Sequence, residues 1–147
     1  MIKFLDLQKI NGQYEIDLKE AANRVIDSGW YVLGNEVSEF ETEFSSYCQT
    51  KHCLGVANGL DALVLIFRAY IEMGVMQKGD EVIVPSLTFV ASLQAISATG
   101  AKPVACDVSP DTLLIDVADV KKKFSKKKLK LLCPFTIQAT PVIWMPF

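Results

Sequence analysis

The order of the apolar segments between residues 52 and 124 is the feature that most constrains how this chain can fold. Short runs rich in β-branched residues alternate there with longer segments whose apolar residues repeat at helical spacing. The candidate strands are 52–57, 81–84 and 103–107, and the candidate helices are 60–73, 88–99 and 117–124. Strands separated by helices in this order pair in parallel, and the helices cover the faces of the sheet. The order therefore predicts an α/β fold with a mostly parallel sheet flanked by helices.

Two further helices are predicted before the first candidate strand. Residues 13–28 place apolar side chains on one side of a helix, and a second helix begins at Asn35, which we expect to cap it. The turn between them, residues 29–34, reads Gly-Trp-Tyr-Val-Leu-Gly. Farther along the chain, Gly100 is expected to end the helix over 88–99 from the position after its C-cap.

The charge of the chain is unevenly distributed. Its 15 basic and 17 acidic residues give a formal net charge of −2 at pH 7, yet seven of the basic residues are lysines within residues 121–130. The rest of the chain is therefore strongly acidic, which argues against general nucleic-acid binding. We interpret the lysine cluster as a solvated surface. The alternative, a basic-tailed nucleic-acid binder, would require salt-sensitive affinity for DNA or RNA.

Export, membrane insertion and metal binding are not expected. The first residues carry no cleavable leader and no apolar stretch is long enough to cross a membrane, so a cytoplasmic protein without a membrane partner is predicted. The four cysteines are scattered, with no Cys-x-x-Cys pair, and are expected to be reduced and mostly buried. The spacing of Cys48, His52 and Cys53 is irregular for a zinc site.

One loop of the predicted α/β unit has the chemistry of a phosphate site. Ligands of open α/β sheets bind beyond the carboxyl ends of the strands, where loops lead into helix N-termini. The chain passes through Gly59 directly into a helix, so the amides of Gly59, Leu60 and Asp61 lack helical acceptors and can hold a phosphate group. The alternative is a plain tight turn in which Asn58 or Asp61 satisfies the helix end.

A second loop, residues 85–92, also runs from a strand end into a helix start. Phe89 could project from it toward the same crevice and stack on a flat heterocycle, and the alternative is an ordinary core position. The sequence contains neither Gly-x-Gly-x-x-Gly nor Gly-Lys-Ser/Thr, which argues against a dinucleotide fold and against a nucleoside triphosphatase. The single histidine, His52, leaves little room for a Ser-His-Asp triad.

Seven short segments occur in a fixed order along the chain. They are residues 4–7 (FLDL), 29–34 (GWYVLG), 37–41 (VSEFE), 55–63 (GVANGLDAL), 79–85 (GDEVIVP), 88–91 (TFVA) and 100–104 (GAKPV). As an ordered set they resemble the DegT/StrS-type nucleotide-sugar aminotransferases, which are pyridoxal-phosphate (PLP) enzymes of fold type I. The resemblance implies that the chain is the N-terminal portion of the large domain of such an enzyme.

The resemblance also implies how a cofactor would be held. The backbone at Gly59 and Leu60 would bind the phosphate of PLP, and Phe89 would stack on its pyridine ring. Leu60 stands where the family usually has a hydroxyl residue, so only its amide would serve there. In the family a lysine forms the Schiff base and an aspartate holds the pyridine nitrogen protonated. No residue of this chain matches either of those positions, so no catalytic residue is assigned.

The same resemblance implies the activity of the full-length parent. It would be a homodimer that transfers an amino group from glutamate to a keto-deoxysugar linked to a nucleoside diphosphate. The Trp30–Tyr31 segment would lie near the sugar-nucleotide pocket. Because the Schiff-base lysine is missing, we expect a truncated, inactive form of the enzyme with poor retention of PLP. The alternative is a small non-catalytic α/β domain that binds a phosphorylated ligand at the Gly59 loop.

The family pattern ends abruptly near residue 126. We predict a partial aminotransferase large domain over residues 1–126 and an out-of-frame or irregular tail over residues 127–147. Another reading frame of the tail permits a family-like Met-Pro-Val-His segment, and the preceding lysine codons are adenine runs in which frames slip. The alternative is a genuine short strand over 129–133 with an irregular extension after it.

Overall fold

The computed structural model describes residues 4–124 and 129–132. The chain divides into two compact units, Met1–Gly55 and Val56–Phe147. In chain order the elements are α1 (Leu7–Asn11), a 3-10 turn (Gly12–Tyr14), α2 (Glu15–Ser28), α3 (Asn35–Tyr47), α4 (Gly59–Glu72), β1 (Glu81–Pro85), α5 (Val90–Ala98), β2 (Lys102–Cys106), α6 (Val117–Phe124) and β3 (Leu129–Leu132).

The first unit is helical, as predicted, but the helix predicted over 13–28 begins only at Glu15, and a short helix and a 3-10 turn precede it. The short helix α1 was not predicted; Asp6 caps it by accepting a hydrogen bond from Lys9 N at 3.2 Å. Tyr14 then leaves the helical region, with φ −119° and ψ 20°, so α2 begins only at Glu15. At the other end Gly29 adopts a left-handed conformation, with φ 64°, and terminates α2.

The turn between α2 and α3 is built around Gly34. This glycine is the N-cap of α3 and Asn35 is the first helical residue, so the expectation that Asn35 caps the helix is wrong. A Cβ at Gly34 would lie 2.8 Å from the carbonyl oxygen of Trp30, which excludes any larger residue where the chain folds back. The preceding Leu33 has φ 52°, a conformation that is strained for a residue with a side chain.

A salt bridge also joins α2 to α3. Arg24 Nε donates to Glu36 Oε1 at 2.8 Å, and Arg24 Nη2 donates to Glu36 Oε2 at 3.2 Å. The hydrogen bond with the guanidinium lowers the pKa of Glu36, and the same contact raises the pKa of Arg24. Because both side chains are exposed, we assign the pair an orienting role rather than a large share of the stability.

The second unit contains a parallel sheet in the order β2-β1-β3. β1 pairs with β2 in an unbroken register from Glu81↔Lys102 to Pro85↔Cys106. It pairs with β3 in parallel on its other side, with a register shift between Glu81 and Val82. The predicted parallel sheet and α/β class are therefore confirmed.

β1 is buried on both faces because its side chains alternate between two clusters. Val82 and Val84 share one cluster with residues of α4 and α5, namely Leu63, Phe67, Ala95 and Ile96. Ile83 faces the opposite side, where it packs with Cys106 of β2, Ile115 and Val120 of α6. The sheet thus has α4 and α5 on one face and α6 on the other.

The predicted strand over 52–57 is wrong. No strand is assigned to this segment, and within residues 4–124 and 129–132 it has no pairing partner. The amide of Gly55 donates instead to the Glu41 carboxylate of α3 at 2.7 Å. A segment rich in strand-forming residues stays irregular when no neighbouring strand supplies acceptors for its amides.

The segment after α6 agrees with the strand alternative. β3 spans Leu129–Leu132 and pairs with β1, so a short strand within 129–133 is observed where that alternative placed it. Residues 133–147 lie outside the described residues. The proposed change of reading frame within 127–147 stays a prediction.

Three of the four cysteines lie among the residues that the structure describes. Cys48 is exposed, Cys53 is half-buried and Cys106 is buried, all as free thiols, so the expectation of mostly buried cysteines is wrong for Cys48.

No helix among the described residues is long and apolar enough to cross a membrane. No group of three or more His, Cys, Asp or Glu side chains is placed among them to hold a metal ion.

Replacing Gly34 by alanine should destabilise the α2–α3 turn. The new Cβ would collide with the Trp30 carbonyl, and such overpacking typically costs about 1–3 kcal/mol. Gly12→Ala is the matched control, because a Cβ there meets nothing within 4 Å and the position is already helical. Urea unfolding followed by helical circular dichroism measures both variants, and equal losses would contradict the steric explanation.

Candidate active site

The N-termini of α4 and α5 lie at the same edge of the sheet. α5 begins at Val90, shortly after β1 ends at Pro85, so its N-terminus is at the carboxyl edge of β1. α4 runs in the opposite direction to β1, because the chain returns from its end at Glu72 to the start of β1 at Glu81. Both helices share one core cluster with β1. The two helix starts, residues 58–61 and 88–92, therefore form the candidate site.

Asn58 organises the start of α4. Its backbone is extended, and its side-chain Oδ1 accepts a hydrogen bond from Asp61 N at 3.0 Å. Its Nδ2 donates to Asp61 Oδ2 at 3.0 Å, so the amide side chain holds the Asp61 carboxylate as well. The tight-turn alternative is thus correct for the amide of Asp61, which is not available to a ligand.

The amides of Gly59 and Leu60 are the uncommitted donors of this turn. Neither has an acceptor among the described residues, as expected for the first two positions of a helix. A Cβ added at Gly59 would meet nothing within 4 Å, so the space beside this glycine is open. Two adjacent N–H groups at the positive end of a helix can bind the oxygens of an anion such as phosphate.

The Leu60 side chain does not face that open space. It is half-buried and packs against the core cluster of α4, α5 and β1. Leu60 therefore offers its backbone amide at the site, while its side chain fixes the first turn of α4 to the sheet. The expectation that the amide of Leu60 serves in cofactor binding stays a prediction.

Phe89 presents its ring to solvent at the start of α5. The residue is the N-cap of α5 and its side chain is 73% exposed, so the alternative of an ordinary core position is wrong. Two hydroxyl groups, which the sequence analysis did not single out, support this turn: Thr88 Oγ1 lies 2.8 Å from Ser92 Oγ. Ser92 is buried, and its N–H donates to the carbonyl of Phe89 at 3.0 Å. An exposed aromatic face on a supported turn is suited to stacking.

The largest pKa shifts lie away from these helix starts, at the junction of β2 and α6. Burial raises the pKa of the Cys106 thiol to about 12. Hydrogen bonds from Lys123 and from the Asp107 amide hold the pKa of Asp119 at about 2. A general acid or base at neutral pH needs a pKa near that pH, so these groups are unsuited to that role.

The Trp30–Tyr31 segment belongs to the first unit. Trp30 is 59% exposed and Tyr31 is 67% exposed. Both line a cavity of about 550 Å³ together with Arg24, Ser28 and residues at the start of α3. The resemblance implies that this segment lies near a sugar-nucleotide pocket, and that assignment stays a prediction.

The fold and these two helix starts define an α/β domain with a candidate ligand site at the carboxyl edge of a parallel sheet. The sequence profile of the DegT/DnrJ/EryC1/StrS aminotransferase family matches residues 13–134, so the chain belongs to this family. The resemblance inferred from the seven ordered segments is confirmed. PLP is the cofactor of the family.

Individual relatives agree with this assignment. A dTDP-3-amino-3,6-dideoxy-alpha-D-galactopyranose transaminase of Aneurinibacillus thermoaerophilus is 53% identical over 127 residues, covering 86% of this chain and 34% of the relative. The crystal structure of DesV from S. venezuelae, in complex with a ketimine intermediate, is 40% identical with a TM-score of 0.83, covering 97% of this chain and 37% of DesV. A sugar aminotransferase of Streptococcus pneumoniae in its PLP form is 32% identical with a TM-score of 0.69. The match covers 80% of this chain and 29% of the pneumococcal chain.

The chain spans about a third of the length of these relatives. What they have in common with it is the N-terminal part of the PLP-dependent fold. The expectation of an N-terminal portion of the fold type I domain is confirmed.

Replacing Asn58 by alanine should weaken α4. The variant loses the side-chain acceptor of the Asp61 amide, and loss of an N-cap costs about 1 kcal/mol of unfolding free energy. Asn11→Ala is the control, because Asn11 precedes the 3-10 turn without making a side-chain capping bond. Urea unfolding of both variants measures the difference. An Asn58→Ala protein as stable as the Asn11→Ala protein would show that the cap contributes little.

Proposed function

We propose that this chain is the cofactor-phosphate and ring-binding part of a PLP-dependent nucleotide-sugar aminotransferase. The observation that carries the proposal is that the amides of Gly59 and Leu60 have no acceptor in the described part of the chain. The space beside Gly59 is open, and the exposed ring of Phe89 lies at the same sheet edge. Membership of the aminotransferase family supports PLP as the ligand. The residues present fit this cofactor, because it combines a phosphate with a flat aromatic ring.

Each residue of the site has a defined role in this proposal. The amides of Gly59 and Leu60 donate to phosphate oxygens, and Asn58 keeps the Asp61 carboxylate and amide engaged with the cap. Phe89 covers one face of the pyridine ring and shields it from water. When bound, PLP supplies an electron sink for reactions at the carbon that carries the amino group. No lysine of this chain matches the cofactor-linking position, so the chain alone would bind PLP reversibly and without turnover.

The parent reaction is proposed to move an amino group from glutamate to a keto-deoxysugar nucleotide. Support comes from the Aneurinibacillus transaminase, whose name specifies a dTDP-linked amino sugar and which is 53% identical. We further propose that the full-length protein acts in the cytoplasm as a homodimer. Numerous exposed apolar side chains in the described residues, such as Phe40, Phe44 and Leu65, support burial against further polypeptide.

The role of the Gly59 amide can be tested by replacing it with proline. Gly59 is the first residue of α4 and Asn58 before it is extended, so proline fits the backbone while it removes the N–H donor. Loss of a hydrogen bond to a charged group, about 1.5–3 kcal/mol, should weaken binding of both PLP and inorganic phosphate by roughly 10- to 100-fold. Equilibrium dialysis with the purified chain measures both affinities.

Gly59→Ala is the matched variant for that test. It keeps the amide, and its Cβ enters open space, so we expect much stronger phosphate binding than in Gly59→Pro. Equal affinities in the two variants would contradict amide binding of the phosphate. PLP absorbance that persists on the wild-type chain after desalting would contradict reversible binding.

Stacking on Phe89 predicts an effect that is specific for the pyridine ring. Phe89→Ala should lower the affinity for PLP by roughly 2- to 10-fold, the magnitude of one aromatic stacking interaction, and leave inorganic phosphate binding unchanged. Phe40→Ala, which removes an exposed aromatic residue of the first unit, is the control. If Phe89→Ala binds PLP as the wild-type chain does, the data would favour a domain that binds the phosphate of its ligands without contacting an aromatic ring.

A further inference from the structure

The outer edge of the sheet at β2 is formed by alternate residues of that strand. Lys102 N donates to Asp80 O at 2.8 Å, and Cys106 O accepts from Ser86 N at 2.7 Å, so the even-numbered residues of β2 face β1. Backbone groups of residues 103, 105 and 107 consequently point away from β1. In the sheet order β2-β1-β3, which includes only the strands of the described residues, these groups form the outer edge. Such edges are templates for pairing with a strand of another molecule.

The outward backbone groups are largely occupied or absent. Pro103 has no N–H to offer. The carbonyl of Ala105 accepts a hydrogen bond from Lys123 Nζ at 2.8 Å. The amide of Asp107 donates to Asp119 Oδ2 at 2.9 Å, and its carbonyl accepts from Asp116 N at 2.8 Å. Every partner comes from α6 or from the residue directly before it.

Asp119 and Lys123 are held in place for these contacts. They lie one turn apart on α6 and form a salt bridge in which the side chains are only 16% and 27% exposed. Val120 between them is buried against Ile83 and Cys106, which fixes α6 to the sheet. The hydrogen bonds from Lys123 and the Asp107 amide lower the pKa of Asp119 to about 2, so this carboxylate is ionised at neutral pH.

We propose that Asp119 and Lys123 act as a clasp that closes the outer edge of β2 against pairing with a strand from a second copy of this chain. An added strand would need the Ala105 carbonyl and the Asp107 amide as hydrogen-bond partners. In the clasp, the side chains of Lys123 and Asp119 already occupy these two groups. An ion pair that only tethered α6 would not have to reach these two outward groups. Here each partner of the pair contacts one of them directly.

The test removes the clasp and follows self-association. The double variant Asp119→Ala/Lys123→Met should show a weight-average mass that rises with concentration, reaching about twice that of the wild-type chain under the same conditions in sedimentation velocity. The control Asp111→Ala/Lys121→Met removes one acid and one base at exposed positions, with the same net charge. It should sediment as the wild-type chain does. No increase in the clasp variant over the control would overturn the proposal.

A third change separates edge pairing from nonspecific association. The amide of Ala105 points outward, so Ala105→Pro removes the donor that an added strand requires. Introduced into the clasp variant, it should restore the sedimentation of the wild-type chain. Association that persists would place the contact on another surface and overturn the proposal. Circular dichroism of Ala105→Pro alone checks that the chain folds.

Hydrogen exchange gives an answer that does not depend on the proline variant. In the associated clasp variant the Ala105 amide should exchange at least about tenfold more slowly than in the wild-type chain, because a new backbone acceptor protects it. Unchanged exchange at Ala105 in an associated sample would contradict strand pairing at this edge.

Discussion

Burial of both faces of β1 is the constraint on which the second unit depends. Val82 and Val84 require α4 and α5 on one face, and Ile83 requires α6 on the other. Parallel pairing with β2 and β3 supplies the backbone hydrogen bonds that a strand removed from water needs. The chain can meet both demands only by returning each time through a helix. The positions of the helix starts, and therefore of the candidate site, follow from this connectivity.

The candidate site offers backbone amides as its hydrogen-bond donors. Because Asn58 occupies the amide of Asp61, the open donors reduce to those of Gly59 and Leu60. The Leu60 side chain is then free to pack in the core, which stabilises the turn that presents the amides. Phe89 shows the opposite arrangement: its backbone caps α5 and its ring lies in solvent. In each of these two residues, one part is engaged in the fold while the other is left accessible.

The sequence predicts those parts of the fold that local patterns determine. The segment 117–124 has the helical repeat and the acidic start of α6, and helix and prediction agree at both ends. Gly100 ends the preceding helix from a left-handed conformation, with φ 81°, as its position indicates. The segment 52–57 has the residue pattern of a strand, yet its assignment depends on a neighbour that no local pattern reveals. Likewise, the sequence names Asn58 and Asp61 as possible partners, but only the structure shows which amide their contact removes from the site.

The outer edge of β2 and the start of α4 meet one physical requirement in different ways. Backbone groups without partners are costly when water is excluded, so a chain either pairs them within the fold or leaves them accessible to water or to a ligand. At the edge of β2, α6 satisfies the Ala105 carbonyl and the Asp107 amide with side chains. Among the described residues, the amides of Gly59 and Leu60 have no acceptor, and a Cβ added at Gly59 would meet nothing within 4 Å. The difference is in the surrounding chain: the Asn58 side chain engages the amide of Asp61, the residue after these donors, whereas two side chains of α6 reach the groups at the strand edge. The accessible amides at the start of α4, in a chain whose comparable groups at the outer edge of β2 are paired, support the proposal that the Gly59 loop binds a ligand.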